Sequence, residues 1–300
     1  MKKMNTHIPL LITKEDRMNL KFLRTTLCVL LGLGLFNSCS TGTDPEDVIA
    51  DVFSGPLEFT LQIQNITNDM AMDVNAVVFN NLDTKKDTIT DEIADCVEAL
   101  IYRNSDETLI DSIVIDYGKT TCNSNGGSFR GKMIVDPSDA SLTNFEVRFS
   151  EFYSKGFDIS GIMNFQIVDI AGEDFTMSFD DATFVYTDSN DEKSTFEISE
   201  MSSAYTYIKS EEQDVDYVDD IFEFTSSLSG THPNGTTFSL ISDDELTYAY
   251  SCKNIIGGNA TFVLTDVGEG DVNFGGGDTF DDCNGNVSVN SQDVTLHFTL

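Results

Sequence analysis

The feature that most constrains this chain is a period-two alternation of large apolar residues that recurs along most of its length. Phe145, Val147 and Phe149 alternate with Glu146, Arg148 and Ser150. After the turn formers Ser154-Lys155-Gly156 the pattern resumes through Phe157, Ile159, Met163, Phe165 and Ile167. In a strand, successive side chains point to opposite faces, so this spacing builds a sheet with one apolar and one wetted face. The same signature returns in 175–179, 196–198, 222–224, 246–250, 262–264 and 294–298. Turn-forming clusters such as His232-Pro233-Asn234-Gly235 and Gly257-Gly258-Asn259 separate the runs. The expectation is a mainly β fold, an antiparallel meander or sandwich-like arrangement of sheets, with one short N-terminal helix.

That helix is predicted near residues 67–80, where Ile66, Met70, Val74, Val77 and Val78 share one helical face. Thr67 or Asn68 is suited to cap its start, and Asp69 lies near the positive end of the helix dipole. A strand over 57–64 (LEFTLQIQ) is expected before it. With 22 Phe, 9 Tyr and no Trp, the chain has enough apolar volume for a sizeable core.

Charge narrows the partners. Against 17 Lys and Arg stand 51 Asp and Glu, a formal net charge of −34. Such a surface repels phosphate backbones, so no nucleic-acid partner is expected. The acid falls in short clusters between apolar runs, at Asp180-Asp181, 188–192, 211–220, 243–245 and 278–282. These read as solvated loop tips, and no cofactor is expected. The one alternative for a cofactor is calcium, held by Asp278, Asp281 and Asp282; the EF-hand-like run Asp282 to Asp293 lacks the glycine and the glutamate that such a loop requires.

The N-terminal region reads as a targeting segment. Lys21 and Arg24 precede an apolar stretch from Leu27 to Phe36, then the small residue Ser38 and Cys39. The stretch is shorter than the roughly 20 apolar residues that a membrane-spanning helix needs. Met18 begins a complete signal of this kind, which makes it an alternative start for translation.

A cysteine directly after such a cut resembles the lipobox of bacterial lipoproteins. Together with the polar, acidic stretch after Cys39 and the acidic, Asn- and Phe-rich β region, it resembles the secreted lipoproteins of Bacteroidota. The resemblance implies that Cys39 is acylated, with palmitate as one of the chains, and that the protein is held at the cell envelope. It implies an outer-membrane lipoprotein, on the periplasmic face or the cell surface, with the membrane as a partner through the lipid. The organisation expected is a signal peptide at 1–38, a lipidated cysteine with a polar tether at 39–55, and a β-rich extracytoplasmic domain at 56–300. An aromatic-glycine-cysteine echo between 113–122 and 272–283 suggests two similar halves within that domain.

Four further cysteines, Cys96, Cys122, Cys252 and Cys283, are expected as disulfides in an oxidising compartment. The pairing Cys96–Cys122 and Cys252–Cys283 is favoured because each pair flanks a stretch that reads as a local hairpin. A four-cysteine zinc site has no Cys-x-x-Cys spacing to support it.

No catalytic set stands out. His232 in its turn and His297 on an outward strand position are both expected at the surface, and neither a nucleophile elbow nor a phosphate-binding loop occurs. Asp87-Thr88-Ile89 and Asp111-Ser112-Ile113 resemble O-glycan acceptor sites of exported proteins in this bacterial group. The expected role is therefore binding or structural, with a glycan or an envelope protein as partner. The alternatives are a surface hydrolase or glycan-processing protein using two carboxylates, and a subunit of a surface complex.

Overall fold

The computed structural model describes residues 45–299 apart from 82–87, 90–95, 106–108, 125–126, 139–142, 171–172, 209–220, 276–284 and 292–293. Residues 45–300 form one compact unit. Cys39, Cys283, the expected calcium ligands Asp278, Asp281 and Asp282, and the acidic run 211–220 lie outside the described residues.

The fold is mainly β and antiparallel, with a single helix among the described residues. Helix α1 spans Pro45–Asn81. The strands that follow are β1 (Thr88–Ile89), β2 (Glu98–Arg103), β3 (Ile110–Asp116), β4 (Cys122–Ser124), β5 (Gly127–Pro137) and β6 (Asn144–Ser154). Next come β7 (Phe157–Asp169), β8 (Asp174–Thr187), β9 (Lys193–Ile208), β10 (Ile221–Thr231) and β11 (Thr237–Ser242). The last six are β12 (Leu246–Ala249), β13 (Asn254–Gly257), β14 (Asn259–Leu264), β15 (Gly268–Phe274), β16 (Asn286–Ser291) and β17 (Val294–Thr299).

The ladder runs β1–β2–β3–β5–β6–β7–β8–β9–β10, with β4 paired to β5. At β10 the sheet forks. Residues 227–231 pair with β11, and residues 221–224 pair with β12. The β11 branch continues through β14, β15 and β16 to β17, while β12 pairs with β13.

The alternation sets which face is buried. Phe145, Val147, Phe157, Ile159, Met163, Phe165, Ile167, Phe175, Met177 and Phe179 all point inward and are buried. Bulges bend the long strands around that interior, because an extra residue on one strand sharpens its local twist. One lies where β7 meets β8, with Gly161 at φ +132° opposite Ala182. A Cβ at Gly161 would stand 2.9 Å from the Ala182 Cα, a separation that van der Waals radii forbid.

What fills the interior is α1. The strand expected over 57–64 is helical, and the helix begins at Pro45, inside the stretch 39–55 expected as a tether. Proline is favoured at a first helical position, where its missing N–H costs nothing. Phe53 is fully buried, edge-on to Phe262 of β14 at 5.1 Å, so this early turn belongs to the core. Farther along, Phe59 packs against Phe157 of β7, Tyr186 of β8 and Phe196 of β9. Residues 63–78 are buried without exception. Contacts from β7, β8, β9 and β14 thus surround the helix, and an enclosed helix does not need a one-sided apolar stripe. That is why 57–64, with apolar residues at every second position, reads as a strand in isolation.

Among the described residues, no helix is long and apolar enough to cross a membrane.

Candidate functional site

Two places gather polar side chains: the interior around α1, and a groove on the outer face of the sheet.

The interior site grows from two rows on the helix. Residues four apart in a helix stack on one face. Asn65, Asp69 and Asp73 form one row, Gln64 and Asn68 the other, and all five are buried. A buried polar group without a partner costs roughly 1–3 kcal/mol, so each needs one from the sheet. The amide of Asn65 donates to the Asn254 side chain at 2.7 Å. Ser226 of β10 donates to Gln64 Oε1 at 3.0 Å and itself receives Ser203 Oγ at 2.9 Å. The Tyr205 hydroxyl donates to Asn68 Oδ1 at 2.8 Å.

The aspartates carry the strongest contacts. Asp69 pairs with Lys155 Nζ at 2.7 Å and accepts a hydrogen bond from the Tyr248 hydroxyl. Asp73 accepts the Tyr117 hydroxyl on Oδ2 at 2.5 Å. Its Oδ1 accepts the Tyr250 hydroxyl and Lys253 Nζ, each at 3.0 Å. The Lys253 ammonium also lies over the Tyr250 ring, 3.6 Å from its centre. Two carboxylates and two ammonium groups make the cluster formally neutral. Burial pushes the Tyr117 and Tyr248 phenols well above their ordinary range, and the adjacent Asp73 and Asp69 charges push in the same direction. Both hydroxyls therefore stay protonated and act as donors.

Local geometry explains how two lysines reach the interior. Lys155 occupies the β6–β7 turn at φ +47°, and Lys253 the β12–β13 turn at φ +50°. The left-handed conformation costs a non-glycine residue about 1–2 kcal/mol.

His232 corrects an expectation. It is buried instead of exposed, because its ring stacks edge-on between Phe196 at 4.9 Å and Phe238 at 5.1 Å. Its Nε2–H donates to the Pro56 carbonyl of α1 at 3.2 Å. Burial lowers its pKa to about 4, the Pro56 hydrogen bond opposing that shift in part. His297 is exposed on β17, as its position predicts.

The outer groove, of about 580 Å³, crosses β6 to β11 beside the fork. Register places Asn164, Ser178, Ser202 and Ser227 side by side across β7, β8, β9 and β10. A neighbouring row holds Gln166, Thr176, Ala204 and Thr225. Ile241 of β11 continues the serine row. Among the described residues, none that lines the groove is charged, although the chain carries 51 acidic residues. Each serine or threonine hydroxyl both donates and accepts, and each amide does the same from separate atoms.

The remaining expected sites stand apart from both places. Cys96 and Cys122 are joined in a disulfide, Cα atoms 5.8 Å apart, which closes β2 and β3 against β4. Cys252 is disulfide-bonded, and Cys283, its expected partner, lies outside the described residues. The clusters at Asp180-Asp181 and Asp243 to Glu245 are exposed, and Asp188 folds back to accept the Asn190 and Glu192 backbone N–H groups at 2.8 Å. Among the described residues, no group of three or more His, Cys, Asp or Glu side chains is placed to hold a metal ion. Of the two O-glycan acceptor candidates, Ser112 on β3 is partly exposed; Thr88 lies on β1.

Sequence reasoning missed both the buried cluster and the groove. A visible signal was the pair of lysines in turns of a chain with few cations. Comparison with protein-family models, curated proteins and solved structures found no match.

Proposed function

We propose that this chain is a lipid-anchored envelope protein whose β domain binds a neutral, hydroxyl-rich ligand, a glycan, in the outer groove. The observation that carries the reading is the uncharged Asn, Gln, Ser and Thr surface across β7 to β10. On a chain of net charge −34, an uncharged patch of this size avoids the cost of stripping water from carboxylates when a ligand docks. Paired rows of hydroxyls and amides at strand spacing match the donors and acceptors of sugar rings, and Ile241 adds an apolar contact for a ring face.

The anchor is Cys39, acylated after removal of residues 1–38, with the protein in the outer membrane. The lipobox-like sequence is its support. A hydrolase reading has less support, because among the described residues no carboxylate lines the groove, and Asp69 and Asp73 are sealed inside.

The test is a glycan panel with the full-length protein. Retention of a neutral glycan without product is expected, and Ser202→Asp with Ser227→Asp abolishes it while the melting temperature holds. Released sugar refutes the binding role, and no retention of any glycan refutes the groove assignment. Labelled palmitate is expected to follow the wild type and not Cys39→Ser; label absent from both refutes the anchor.

A further inference from the structure

The Lys253–Asp73 pair differs from an ordinary surface ion pair in three respects. Both side chains are almost fully enclosed, at 5% and 3% exposure. They come from elements 180 residues apart, α1 and the β12–β13 turn. And both carboxylate oxygens are already occupied by phenolic donors, Tyr117 on Oδ2 and Tyr250 on Oδ1.

We propose that Lys253 Nζ and Asp73 Cγ become joined by an intramolecular amide, a covalent tie between the central helix and the sheet around it. Nζ lies 3.0 Å from Oδ1 and therefore beside Cγ, the atom bonded to it. A proton passes from the ammonium to Oδ1 within the pair. The freed amine lone pair attacks Cγ and forms the C–N bond. Negative charge then develops on Oδ2, where the Tyr117 hydroxyl already donates, as an oxyanion site requires. A second proton moves from nitrogen to Oδ1, the Cγ–Oδ1 bond breaks, and Oδ1 leaves as water. Ammonium and carboxylate become amide and water, with no oxidant or further reactant.

Two physical terms favour the product. Reactants fixed in contact reach effective molarities of roughly 10⁵ M or more, which opposes hydrolysis by bulk water. Amide formation also removes two buried charges, each of which is costly to keep out of water. The Lys155–Asp69 pair supplies an internal contrast. Its carboxylate is enclosed, but Lys155 keeps 25% exposure, so solvent continues to hydrate the ammonium and the ion pair persists.

The experiment is intact-mass measurement of the full-length protein, folded, then reduced and denatured, followed by peptide mapping. The expected mass is one water below that of the open chain, with a branched peptide joining Lys253 to Asp73. Lys253→Arg keeps the cation but is expected to restore the open-chain mass. Should that variant not fold, the branched wild-type peptide decides alone. A full open-chain mass overturns the proposal, as does a water loss that maps to a cyclised aspartate or to Lys155.

Discussion

His232 predicts a specific dependence of stability on pH. In the unfolded chain its imidazole titrates near 6.5, and in the fold burial lowers that to about 4. Between these values the unfolded state holds the proton and the native state does not, so stability falls as the pH drops. The contribution is fully present above pH 6.5, declines through the window, and is lost once the pH falls through about 4. Each unit of separation corresponds to about 1.4 kcal/mol, so the loss across the window is about 3 kcal/mol. His232→Phe isolates the effect. A phenyl ring keeps the stacking on Phe196 and Phe238, and the Pro56 carbonyl it abandons still accepts Thr60 Oγ1 at 2.8 Å. Urea denaturation at several pH values from 4 to 7 gives two curves, and their difference removes the carboxylates common to both proteins. The wild type is expected to lose about 3 kcal/mol more than the variant over that range. Parallel curves would refute the account, since a solvated imidazole has no such dependence.

Other consequences follow from the same structure. Asp73→Ala leaves Lys253 enclosed beside two phenols with no anion, and a loss of roughly 3–5 kcal/mol is expected in chemical denaturation. Gly161→Ala forces a side chain at φ +132° against Ala182, and a loss of at least about 1–3 kcal/mol in the same assay tests the bulge. Cys96→Ser opens a loop of 26 residues and is expected to cost about 3 kcal/mol under oxidising conditions; reduction should lower the melting temperature of the wild type more than that of the variant.

The correct and incorrect expectations separate by range of interaction. The strands over 145–149, 157–167 and 175–179 were legible because a pleat makes every second residue face the core, and that rule acts between near neighbours. The Cys96–Cys122 bridge was legible for a similar reason, its partners being close in sequence. Residues 57–64 were misread because their alternation is a valid strand pattern, and only enclosure by the sheet lets a helix bury Thr60 and Gln64 beside Leu57 and Leu61. His232 was misread because a Pro-Asn-Gly turn usually faces water, whereas Phe196 and Phe238 close over this one. The groove depends on the register of β7 through β10, which sets Asn164, Ser178, Ser202 and Ser227 in line.

Taken by itself, the sequence determined a mainly β chain with one helix, a strongly acidic surface and a bridge at Cys96, since each follows from composition or from residues close along the chain. Tertiary structure alone decided that the helix is enclosed by the sheet and that Asp69 and Asp73 meet Lys155, Lys253 and three tyrosines. Asp73 and Lys253 are 180 residues apart. No local pattern encodes such a meeting, because an isolated aspartate in a helix is most stable in water, and only the closing of the sheet removes the water and makes the lysine its partner.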